Sequence, residues 1–145
     1  MVQFDLIGQL NTSAKSKGWH FIYGNNFYVN YEATIKKIYP GDLVLTADFS
    51  CVPILKNGLV TEITYTGLMM LGVSIDSNGK KADLDETMQQ KYDRRLLELM
   101  QTLANYIGEF ACLNELDVNI TNMRLDINRF DTNIDFVVAE LSFVQ

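Results

Sequence analysis

Cysteine is scarce: Cys51 and Cys112 are the only two in 145 residues. Two such residues exclude a disulfide framework, and neither belongs to a Cys-x-x-Cys pair that would indicate zinc or dithiol chemistry. Both fall in apolar patterns, Cys51 on a strand and Cys112 near a helix end, so buried free thiols are expected. Histidine is scarcer still. His20 is the only one, and any Cys–His or Ser–His–Asp site would have to use it. Alternation in Trp19-His20-Phe21 turns it away from its aromatic neighbours, as an ordinary solvent-facing strand histidine. The two prolines, Pro40 and Pro53, and the lack of any Pro- or Ser-rich tract leave no linker, so one domain over residues 1–145 is expected. Long apolar runs are missing too. The longest, Gly67–Val73, is far short of the roughly 20 residues of a membrane span. The start, Met-Val-Gln-Phe-Asp, lacks the basic flank of a signal peptide. A soluble protein without membrane contact, made in a reducing cytoplasm, is the expectation.

Positive charge is in deficit. Twelve Lys and Arg against 18 Asp and Glu give a net charge of −6, which repels phosphate and argues against sequence-specific nucleic-acid binding. The imbalance is uneven. Counted along the sequence, the first 82 residues come to +1 and the remainder to −7. The plainer reading is two ordinary halves of one solvated surface, and the sharper one is a protein with unlike faces suited to head-to-tail contact between copies.

Catalytic and metal motifs are likewise missing. No P-loop, GxGxxG or GxSxG occurs. Asp76-Ser-Asn-Gly starts like a calcium loop, but Lys80 and Lys81 stand where an EF-hand needs an oxygen ligand and a glycine. Asp126, Asp131 and Asp135 flank a turn, and Asp131 with Asn133 fits ordinary turn chemistry. The aromatics over 19–31 could stack bases, but core or interface packing accounts for them without a basic groove. No enzyme activity, cofactor or metal is expected.

What is present is strong periodicity. Residues 3–16 read as a short helix with Gly18 as its stop. Trp19 to Tyr31 reads as two strands around Gly24-Asn25-Asn26, and Tyr39-Pro40-Gly41-Asp42 as a turn. Residues 43–51 and 59–66 alternate about a Lys56-Asn57-Gly58 hairpin, with Leu43, Leu45, Ala47, Phe49 and Cys51 on one face. Gly67–Val73 is apolar without alternation, a strand covered on both sides or packed on a neighbouring subunit. Asp83, with Glu86 three residues on, would cap a long helix. Its stripe runs Met88, Tyr92, Leu96, Leu99, Leu103, Tyr106, Ile107 and Phe110. Residues 116–121, 123–128 and 134–144 alternate again. The fold class is therefore α+β: an antiparallel β-sheet with one long helix packed across it, a short N-terminal helix and a C-terminal β-hairpin. Candidate interface residues are Leu68, Met69, Met70 and Leu71 in the apolar strand. The basic doublets Lys80-Lys81 and Arg94-Arg95 join them, though each also reads as a solvated edge.

This order of elements resembles the phage tail-terminator and tail-completion proteins, which join head to tail. The matching parts are residues 3–16, 19–75, 84–112 and 116–144, with Asn128-Arg-Phe-Asp-Thr-Asn-Ile-Asp-Phe-Val-Val-Ala-Glu-Leu-Ser-Phe143 as the closing turn and strand. The resemblance implies a structural protein of a phage or prophage that forms a ring, commonly a hexamer, at the tail or head–tail junction. Its partners would be its own copies and tail-tube or connector proteins. Its place would be the virion, or the host cytoplasm before assembly. An acidic ring lumen would let DNA slide. The alternative reading is a non-catalytic protein-binding module of a cytosolic complex.

Overall fold

The structure is a computed structural model. It describes residues 5–25, 38–74, 87–129 and 134–145, and for Arg94, Ile127, Asn128 and Arg129 the backbone alone. Helix α1 spans Leu6–Ser16 and buries Leu6, Leu10 and Ala14, spaced by four as one face of a helix requires. Asp5 caps it by accepting from the Gly8 N–H at 3.2 Å. Gly18, at φ 74, lets the chain turn away. Strand β1, His20–Tyr23, follows directly.

Strands β2, Leu43–Lys56, and β3, Leu59–Ser74, form one long hairpin. Its turn is Asn57-Gly58, with φ of 53 and 75, the double positive-φ geometry that Asn-Gly favours. A second helix, α2, starts at Met88–Lys91, passes through a π-helical turn at Tyr92–Leu96 and continues as Leu97–Leu113. Strands β4, Asp117–Arg129, and β5, Ile134–Val144, make the closing hairpin. The sheet order is β1-β2-β3-β5-β4. Every neighbouring pair is antiparallel except β1 with β2, which is parallel. The α+β class and the helix across the sheet match the sequence expectation.

Helices α1 and α2 cover one face of the sheet. The core there joins Leu6 and Leu10 of α1, Leu99, Leu103 and Ile107 of α2, and Leu45, Leu71, Val137 and Phe143 of the sheet. Aromatic rings tie the layers together. Trp19 meets Tyr106 at 5.1 Å, and Phe143 meets both Phe49 and Phe110 at 5.8 Å, within the range of favourable ring contacts. The opposite face holds a smaller cluster of Ile22, Val44, Met70, Ile134, Phe136 and Val138, with Ile38 and Leu68 against it. Because β3 is central and apolar on both faces, Gly67 and Gly72 have little room. A Cβ on Gly67 would lie 1.9 Å from the Asp48 carbonyl oxygen, and one on Gly72 would lie 2.6 Å from the Phe136 ring.

Several expectations are corrected. The chain after Gly24 was expected to return as an antiparallel partner of β1. Strand β1 also adds to β2 in parallel, in the register His20 to Val44, while the second arm of that hairpin lies outside the described residues, so the hairpin itself is not decided. The long helix is capped by Thr87 and Gln90, a reciprocal capping box, so Asp83 and Glu86 are not its cap. The π turn also shifts its buried stripe. The step from Lys91 to Leu96 is five residues, so Lys91 is buried and Met88, which the spacing predicts inward, is exposed, while Tyr92 packs partly buried against the core. Both cysteines are exposed. Cys51 keeps the inward register but lies where β2 has already left the core. Cys112 lies between the buried Ala111 and the exposed Leu113 at the end of α2.

Candidate functional site

The sheet has two unlike ends. One is polar. There the end of β3, the starts of β2 and β5 and the first turns of α2 converge. Lys91 and Arg95 are four residues apart and so share one helix face. Both reach Asp135 on β5. Lys91 Nζ donates to both carboxylate oxygens, at 3.3 and 3.4 Å. Arg95 donates to Oδ2 through Nε at 3.1 Å and through its terminal nitrogen at 2.8 Å. Solvent reaches 1% of the Lys91 side chain and none of Asp135. Separating a carboxylate and an amine buried this deep, and so leaving one without its partner, is costly. The carboxylate is enclosed by two cations, which makes it a tie between helix and sheet.

Beside this cluster a cavity of about 210 Å³ opens between Gly41, Leu43, Val73, Arg95, Leu99 and Thr102. Nearby, His20 Nε2 lies 3.0 Å from Asp42 Oδ2. The Asp42 carboxylate also accepts from the Tyr39 N–H at 3.0 Å. The His20 contact, and then this backbone donor, hold the Asp42 carboxyl below the usual carboxylate range. Gly41, at φ 90 behind Pro40, completes the expected turn. His20 is thus a partly exposed strand residue, as the alternation predicts, and is paired with an acid. His20 and Asp42 lie at the surface, Asp135 is sealed inside, and no group of three or more His, Cys, Asp or Glu that could hold a metal occurs among the described residues.

The other end is apolar and projects. Strand β5 stops pairing with β3 at Thr64, and a last pair of backbone bonds joins Ile63 to Gln145. Beyond that point, among the described residues, β2 and β3 continue as a two-stranded ribbon, and residues 50–59 are all exposed. A bulge between Ile54 and Leu55 shifts the register. Before it, Val52 and Ile54 point to the face opposite the helices. After it, Leu55 pairs with Val60, which packs on the helix side. The arm is thus apolar on both faces, with Val52, Ile54, Leu55 and Leu59 exposed. Exposed apolar groups concentrated in this way mark contact surfaces in soluble proteins.

The sequence candidates are scattered between these regions. Met69, Met70 and Leu71 are buried in central β3, Met69 and Leu71 under the helices and Met70 on the opposite face, while Leu68 is half-buried. Of the two readings of this strand, the one covered on both sides describes their place, and these three side chains are not on the surface of the chain. Arg95, a candidate interface or solvated-edge residue by sequence, is instead drawn in to Asp135. Lys80 and Lys81 lie outside the described residues, as does the Arg94 side chain. The arm residues Val52, Ile54, Leu55 and Leu59 were missed, as was Asp135. The signal for Asp135 was present: extending the Val137, Ala139, Leu141, Phe143 alternation back by two puts an aspartate on the helix-covered face.

No helix among the described residues is long and apolar enough to cross a membrane. Comparison with known protein families gives no match, and comparison with curated proteins gives none either.

Proposed function

We propose that this chain is a structural, non-catalytic assembly protein that packs with its own copies into a closed ring, in the manner of the tail-terminator and tail-completion proteins it resembles. On this reading the ring caps a tail tube or joins it to a head. Its further partners are tail-tube or connector proteins, its place is the virion or the host cytoplasm before assembly, and it works without a cofactor. One observation carries the reading: the β2–β3 arm extends past the sheet with apolar side chains on both faces. An isolated two-stranded ribbon is marginal in water, and covering it by a neighbour is the ordinary remedy. The charge difference between the two halves of the sequence also favours unlike surfaces meeting, which is what a rotational ring requires.

Size-exclusion chromatography with light scattering tests it. The expected mass is that of several protomers, six for a hexamer, with ring-shaped particles in negative-stain micrographs. A mass of one or two protomers without rings would favour the binding-module alternative.

A further inference from the structure

We propose that the arm of one copy seats in the groove between α1 and α2 of the next. This deepens the ring reading and rests on it. The groove has a volume of about 450 Å³ and is lined by Asp5, Gly8, Thr12, Phe110, Leu113 and Asn114 among others. At Gly8 a Cβ would lie 2.4 Å from the Asp5 carboxylate that caps α1, so the absence of a side chain there lets Asp5 sit at the groove's edge. Phe110 supplies an apolar floor and Leu113 an apolar rim.

Three features match the groove to the arm. Leu113 at 75% and Leu59 at 69% are the two most exposed large apolar side chains among the described residues, one at the groove and one at the arm tip. Lys56 is the charged residue at the arm tip, with Glu62 opposite Ile54 at the arm's base, while the groove carries Asp5, with Glu115 and Asp117 just past its Asn114 end. Charges so placed fix register and suppress wrong pairings. Among the described residues nothing of the same chain covers the arm, which leaves it open to a second copy. Arm and groove are different patches. Their contact is therefore heterologous, and each copy has one arm to give and one groove to fill, which propagates to a ring when the rotation closes.

The test uses two full-length variants, each changed only at exposed positions and each checked by circular dichroism: Leu55→Ser with Leu59→Ser in the arm, and Leu113→Glu in the groove. Lys56→Glu serves as a second arm variant. Native mass spectrometry is expected to show each variant alone as a monomer. Mixing the Leu55→Ser, Leu59→Ser chain with the Leu113→Glu chain is expected to give a one-to-one pair, because the first keeps an intact groove and the second an intact arm. An assembled wild type whose mass is unchanged by all three variants would overturn this inference and leave the ring reading standing. A monomeric wild type would overturn both.

Discussion

Lys91 and Asp135 meet across the helix–sheet interface with Nζ 3.3 Å from Oδ2, and neither side chain touches solvent to any useful extent. The contact joins residues 44 apart in sequence and fixes the first turns of α2 against β5. Breaking one side of such a pair strands a buried charge. Asp135→Ala should therefore destabilise the fold by about 3–5 kcal/mol, read as a lower urea midpoint at an unchanged slope. A change within experimental error would mean that the cluster ties nothing together.

The glycines of β3 and α2 should respond in opposite directions. Gly67→Ala would drive a methyl into the Asp48 carbonyl, and Gly72→Ala into Ile134 and Phe136, so each should lose about 1–3 kcal/mol or more. Gly108 sits within α2 with nothing near its would-be Cβ. Gly108→Ala should gain up to about 1 kcal/mol from helix propensity alone. Thermal melts of the three variants check the ordering.

Acid should weaken the His20–Asp42 link. The folded-state pKa of Asp42 is lowered, first by His20 and then by the Tyr39 N–H. The stability it contributes is present above the ordinary carboxylate pKa and is lost as pH falls through the lowered folded value. His20→Ala should flatten that part of the acid-side stability curve. At the alkaline side the sign reverses. Burial raises the Tyr106 and Tyr65 pKa values, so the stability they contribute is complete below the ordinary tyrosine pKa and is lost as pH rises through the raised ones. Phenolate absorbance should show these two tyrosines ionising above the ordinary tyrosine range.

Both thiols should be reactive in the native fold. Cys51 and Cys112 are exposed, so an aromatic disulfide reagent should titrate two thiols per chain in the Leu55→Ser, Leu59→Ser variant without denaturant. Finding none until the protein is unfolded would contradict the placement of both.

The sequence was most informative where one face of an element repeats. The phase change in β4, from Val118 and Ile120 to Met123 and Leu125, is visible as a shift from even to odd apolar positions, and the structure has its register shift between Ile120 and Asn122. The Asn57-Gly58 turn was equally plain. What could not be read depends on distant partners. The parallel pairing of β1 with β2 leaves no local mark, and Lys91 became a core residue only because the π turn rotates the stripe by one position. Cys51 and the arm were misjudged for a related reason. Period-two alternation says which way a side chain points, whereas the length of the neighbouring strand decides whether anything lies there to cover it.

The most direct measurement is sedimentation velocity of the wild-type chain beside its Leu55→Ser, Leu59→Ser variant at the same concentration. If the arm holds copies together, the wild type sediments as a closed assembly of several protomers and the variant as one. Two identical single-protomer boundaries would contradict the claim that this molecule is built to assemble.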